Sequence, residues 1–136
     1  MRIIASRLRR AAVAIGLGGA LTAAAPPPLT GVWSGDRVTL TLTPSGGQLD
    51  EDCATSTFAG PVRLDGARGF VARGSHETQG AGPTRLDEDE RPAGVPVRLS
   101  GRFTRQRLDL NVQVAGAPVA HYRLAPGRNF KPVRCL

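Results

Sequence analysis

The chain has 136 residues, of which 40% are hydrophobic and 4% aromatic, and it carries 18 basic against 11 acidic side chains for a formal charge of +7. Four of the arginines (Arg2, Arg7, Arg9 and Arg10) sit at the extreme N-terminus; taking those 4 from 18 leaves 14 against 11, or +3, for the remainder. With Lys131 as its one lysine and no interleaving of basic and aromatic residues for stacking on bases, the sequence is not that of a nucleic-acid binder. The arginine bias, with abundant Ala, Gly and Pro, reads instead as the coding habit of a GC-rich bacterial genome.

Residues 1–25 read as an export signal. The four arginines form a positive start without an acid, and Ala11 to Ala25 is an apolar run of small residues. That run is too short and too weakly hydrophobic for a membrane span, which needs ~20 strongly apolar residues. Cleavage is expected after Ala24 or Ala25, so no stable membrane anchor is expected afterwards. Pro26-Pro27-Pro28 opens a stiff spacer over 26–30. The rest, 31–136, is one domain of about 110 residues, within the usual single-domain range.

Gly31 to Pro44 carries the one tryptophan and the cleanest alternation, with Val38, Leu40 and Leu42 on one side and Thr39, Thr41 and Thr43 on the other. It reads as a single strand, ended by the turn Pro44-Ser45-Gly46-Gly47. Gln48 to Ala54 reads as the next strand, with Leu49, Glu51 and Cys53 on one face. Glu51 then points inward and needs an arginine partner, or it sits wet at an open barrel end, which is the expectation here.

Thr55 to Leu64 holds Phe58 and a Gly60-Pro61 break. Asp65-Gly66 is a tight-turn pair, and Gly69 to His76 puts Phe70, Ala72, Gly74 and His76 on one face. Glu77 to Gly94 has no period and contains the acidic run Asp87-Glu88-Asp89-Glu90; it reads as one long loop with a solvated acidic tip. Val95 to Thr104 turns Val97, Leu99 and Phe103 inward, with Gly101 among them where a close approach is expected. Arg107 to Val114 alternates Leu108, Leu110, Val112 and Val114 against polar residues, and Pro118 to Ala125 does so with Ala120, Tyr122 and Leu124. Phe130 to Leu136 is a possible last edge strand.

No segment has helical periodicity. Seven to eight short antiparallel strands joined by tight turns make an all-β meander, and the expectation is a closed or nearly closed barrel, which disposes of the sheet edges. Cys53 and Cys135 are the two cysteines. In an exported protein they are expected to form one disulfide, the alternatives being free thiols or an intermolecular bridge.

Gly31-x-Trp33 at the start of a meander resembles the opening of lipocalin-like and avidin-like barrels. That resemblance implies that Trp33 closes one barrel end beneath an arginine from a late strand, Arg123 or Arg134. A second resemblance covers most of the domain. Gly31-Val32-Trp33-x-Gly35, Asp52-Cys53-Ala54, Gly60-Pro61-Val62-x-Leu64-Asp65, Gly82-Pro83-Thr84-Arg85, Ser100-Gly101-Arg102 and the ending Arg134-Cys135-Leu136 are similar to a group of small exported bacterial proteins of unknown function. It implies an exported β-domain and the Cys53–Cys135 pair, and it implies no activity.

Chemistry is sparse. His76 and His121 have no third ligand in register for a metal, and neither has a nucleophile at a required spacing, so no cofactor, no metal and no enzymatic activity are expected. Two readings of function remain. One is an interaction or accessory protein of the cell envelope, periplasmic or secreted, docking through the 77–94 loop or through the arginines Arg98, Arg102, Arg105 and Arg107 onto an envelope protein or phosphate-bearing surface. The other is a barrel that binds a small molecule in a cavity lined by Trp33, Phe70, Phe103 and Tyr122.

Overall fold

Period-two alternation builds most of the strands, and each strand pairs antiparallel with the next in sequence. A computed structural model describes residues 19–80, 94–127 and Cys135. The strands are β1 (Gly31–Gly35), β2 (Val38–Thr43), β3 (Gly46–Glu51), β4 (Ala54–Ala59), β5 (Gly69–Thr78), β6 (Val95–Thr104), β7 (Arg107–Val114) and β8 (Ala120–Pro126). They form one closed barrel in the order β1 to β8, and no helix occurs among the described residues. The acidic run, Arg134 and nearly all of the expected last strand lie outside the described residues, as do residues 1–18 of the expected signal.

Several boundaries differ from the sequence reading. β3 starts inside the expected turn at 44–47, and β4 ends at Ala59, so that Val62 and Leu64 lie in a connecting segment and not in a strand. β5 runs on to Thr78, and β8 is Ala120–Pro126. Two expected strands are also divided or cut short. Gly31 to Thr43 is a hairpin and not a single strand, because the chain reverses at Asp36-Arg37 and pairs Trp33 with Leu40. Likewise, the strand expected to run through Cys53 ends at Glu51 and turns at Asp52-Cys53. Both turns hide from a search for glycine. Arg37 and Cys53 hold the left-handed conformation themselves, at φ 59° and 56°, where a side chain costs ~1–2 kcal/mol more than glycine. Cys53 therefore leaves the inward row.

The turns at 36–37, 52–53 and 115–119 share one end of the barrel, called here the mouth; those at 44–45, 60–68 and 105–106 share the base. Leu40, Leu49, Leu99, Leu108, Leu110 and Leu124 are buried through the middle. At the base, the Trp33 ring folds back over Gly31 and meets Phe103 edge-on at 5.6 Å, with Phe70 at 6.5 Å from Phe103. β4 and β5 pair only over Ala54–Thr57 and Ser75–Thr78. Below that point, Val62 of the connecting segment is buried in the core. The spacer is not idle: Leu29 packs against this core and its N–H donates to the Val62 carbonyl at 2.7 Å.

Phenylalanine needs room in so narrow a barrel, and glycine supplies it. Phe70 lies opposite Gly101, and Phe58 opposite Gly47. A Cβ on Gly101 would stand 2.4 Å from the Phe70 ring, and one on Gly47 would stand 2.4 Å from the Phe58 ring. The expected close approach at Gly101 is thus the seat of an aromatic ring.

Cys53 and Cys135 form the disulfide, with Cα atoms 5.4 Å apart across 82 positions of sequence. β8 leaves the barrel at the base, whereas the bridge holds Cys135 at the mouth. Closing such a loop lowers the entropy of the unfolded chain by an amount worth about 4.5 kcal/mol in the chain-entropy description. Cys135→Ser should lower unfolding stability by several kcal/mol, read from a urea titration, and the native protein should show no thiol reactive to a maleimide. Gly101→Val should cost about 2 kcal/mol or more, because the ring it would strike is held by Phe103 and Trp33; a loss under about 0.5 kcal/mol would contradict this packing.

Candidate functional site

Strand alternation separates the chemistry of this barrel into two places: the inside of the mouth and the outside of β5–β8. Inside the mouth, Glu51 ends β3, His76 lies near the end of β5, and Tyr122 near the start of β8. Closure brings all three together. The Tyr122 hydroxyl donates to Glu51 Oε1. His76 Nδ1 shares a 2.8 Å hydrogen bond with Ser56 Oγ and lies 3.9 Å from Glu51 Oε2. Glu51 and His76 are mostly buried, with side chains 15% and 13% exposed. Arg37, the one arginine nearby among the described residues, pairs with Asp52 on the rim and not with Glu51. The expected arginine partner of Glu51 is thus replaced by a tyrosine, and the expected wet carboxylate is largely covered.

Burial, and then the hydrogen bond and charge of Glu51, push the Tyr122 phenol well above its usual range. The phenol therefore stays protonated and acts as a donor. The opening is a depression of about 470 Å³, lined by the polar Glu51, His76 and Tyr122 and by the apolar Val112, Pro118 and Ala120.

The Ser56–His76–Glu51 contact does not make a hydrolytic triad. Ser56 is fully buried and cannot meet a substrate. Both Ser56 and Glu51 approach the same ring nitrogen, whereas a relay needs one partner on each. His121 does not join this group: it faces outward on β8 beside Asn111. The acidic and imidazole groups form no cluster of three or more that could hold a metal ion among the described residues.

The four residues expected to line one cavity are divided. Trp33, Phe70 and Phe103 pack on one another at the base, and Tyr122 stands apart at the mouth. Arg123 does not cover Trp33, because its side chain is 84% exposed on the outer face, 3.6 Å from Asp109. Arg134, the other residue considered for that role, lies outside the described residues.

On the outside, Arg98, Arg102, Arg105 and Arg107 are exposed as expected. The register adds two that the sequence reading did not group with them. Arg73 on β5 lies directly opposite Arg98 on β6, and Arg102, Asp109 and Arg123 form a row across β6, β7 and β8. Arg73 was legible as an outward residue between Ala72 and Gly74; only pairing shows that it meets Arg98. Val71, at 54% exposed, lies in the same field. Next to it, an open depression of about 820 Å³ runs between Arg105, Arg107, Asp109 and Arg123. A wider depression, about 950 Å³, lies over β2–β5 where Gly46, Gly47 and Gly74 thin the wall; Thr41, Gln48, Asp50, Thr57 and Arg73 are in its lining.

Fold and surface together define a small antiparallel β-barrel of eight strands with a filled core, a polar mouth and one cationic outer face. No protein-family model, no curated protein and no solved structure matches the chain.

Tyr122 is the one tyrosine, so its ionisation can be followed by absorbance near 295 nm. While the protein is native, no phenolate should form through the ordinary range around pH 10. The unfolded chain ionises there first. The stability contributed by this phenol is therefore complete below about pH 10 and is lost as pH rises through the higher native value. Glu51→Gln should move the native transition back toward the usual range.

Proposed function

We propose that this is an exported, non-enzymatic accessory protein, periplasmic or secreted, that holds an acidic protein of the cell envelope against the outer face of β5–β8. The observation that carries this reading is the direct cross-strand pairing of Arg73 with Arg98. Like charges directly opposite each other cost stability, by a few tenths of a kcal/mol up to about 1 kcal/mol. The cost falls when an anion lies between them. Around that pair stand Arg102, Arg105, Arg107 and Arg123, with Asp109 as the acid in the same rows. Arginine is favoured at interfaces, and the exposed Val71, two residues from Arg73 on β5, supplies an apolar contact in the same field.

The disulfide suits an oxidising compartment, which fits the signal-like N-terminus. The outward rows of β2–β8 are mostly Thr, Ser, Arg, Asn, Gln and Asp, which favours a barrel wall that faces water. Packing of Trp33, Phe70 and Phe103 against each other favours the surface over the interior as the place of binding. The buried Ser56 and the shared nitrogen of His76 favour a binding role over a hydrolytic one.

The test is capture from periplasmic extract by the mature protein and by an Arg73→Glu/Arg98→Glu variant of equal thermal stability. The wild type should retain acidic protein at low salt and release it near 1 M salt, where the screening length is ~3 Å. The variant should retain none. Equal capture by both proteins would sink the proposal, and so would retention of anionic lipid vesicles without any protein.

A further inference from the structure

The mouth is a separate site, with charge of the opposite sign. Its carboxylate is prepared in a way that packing alone does not require. Glu51 is inward, mostly buried, and fixed at one oxygen by the Tyr122 hydroxyl. The other oxygen faces His76 Nδ1 at 3.9 Å, beyond hydrogen-bond reach, and that nitrogen is already engaged by Ser56 Oγ. Half of the acceptor capacity of Glu51 is thus left toward the opening among the described residues. A second carboxylate stands beside it. Asp52 gives one oxygen to Arg37, while its Oδ1 is buried with no hydrogen-bond partner among the described groups. Asp36 also borders the depression, so three carboxylates and one guanidinium line it, His76 aside.

The rest of the lining is apolar in its side chains: Val112 and Val114 of β7, Ala117, Pro118, and Ala120 of β8. At about 470 Å³ the depression has the size of small-molecule sites, which run from ~300 to ~1,000 Å³. The carboxylates do not converge on one point as metal ligands would, since Tyr122 and Arg37 each hold one of them aside. A group that brings its own N–H donors and a short hydrocarbon body fits this division.

We infer that the barrel mouth is a binding site for a small organic cation, a primary ammonium joined to an apolar tail, with Glu51 as the counter-charge and the Val112–Ala120 wall as the seat of the tail. The ammonium donates to Glu51 Oε2, and Asp36 and Asp52 add negative charge at the same opening. Tyr122 holds the Glu51 carboxylate in place and is a positioning residue. This site is independent of the arginine face, which lies outside the barrel wall on β5–β8.

The experiment titrates the oxidised mature protein with n-hexylammonium and, separately, with n-hexanoate, which has an equally short tail and the opposite charge. Calorimetry gives the affinity, and amide NMR shifts give the place. Hexylammonium should bind saturably with a Kd of about 1 mM or tighter and shift residues around Glu51, His76 and Ala120. Hexanoate should not bind there. Glu51→Gln, which keeps the shape and the Tyr122 contact, should weaken hexylammonium about tenfold or more, the loss of one charge-assisted hydrogen bond. Asp50→Asn, on the outer side of β3, should leave it unchanged. Equal binding of both probes, absence of saturation, shifts elsewhere on the barrel, or an unaltered Glu51→Gln affinity would each overturn the site. If Glu51→Gln fails to fold, the comparison of the two probes on the wild type decides alone.

Discussion

An eight-stranded sheet has two edges, and here a narrow seam joins them. β1 meets β8 through Trp33 opposite Pro126 and Ser34 opposite Ala125, with the Gly127 N–H donating to the Val32 carbonyl at 2.9 Å. Pro126 brings no N–H of its own, so the seam rests on few bonds compared with the ladder of eight register positions between β6 and β7. Everything else depends on that closure. It removes the exposed edges, it makes one side of every strand an interior, and it sets β3, β5 and β8 facing one another across the mouth.

The interior thus created is small, and its two ends are finished differently. At the base, aromatic rings fill the cross-section, and Gly47 and Gly101 yield the space that Phe58 and Phe70 occupy. Leucines and valines fill the middle. At the mouth the filling stops, and polar side chains pair in part: tyrosine on glutamate, serine on histidine, arginine on aspartate. A buried carboxylate is costly unless hydrogen-bonded, so the Tyr122–Glu51 contact is what makes an inward glutamate tolerable at this depth. The disulfide lies at the same end and fixes the 52–53 turn, from which Asp52 reaches Arg37.

Outside, the same alternation gathers charge of the other sign. Arginines from β5, β6, β7 and β8 come side by side because they are outward neighbours in adjacent strands, while the outer side of β2–β4 is mostly threonine with Gln48 and Asp50. The barrel wall keeps the cationic outer face and the anionic opening apart, so the two proposed sites would select groups of opposite charge.

Much of this was legible from period two alone. Val97, Leu99, Leu108, Leu110, Val112 and Leu124 are buried because alternation on a pleated strand leaves no other side for them. The all-β class, the meander and the pairing of the two cysteines followed from local pattern, spacing and count. The hairpins at Asp36-Arg37 and Asp52-Cys53 did not, because arginine and cysteine there adopt a backbone conformation that sequence usually signals with glycine. Glu51, His76 and Tyr122 were each visible as inward residues, but their meeting was not. Glu51 and Tyr122 are 71 positions apart, and only the closing of β1 on β8 determines which strands face each other across the lumen. Direction along a strand is a local property of the chain, whereas distance across a barrel is a property of its closure.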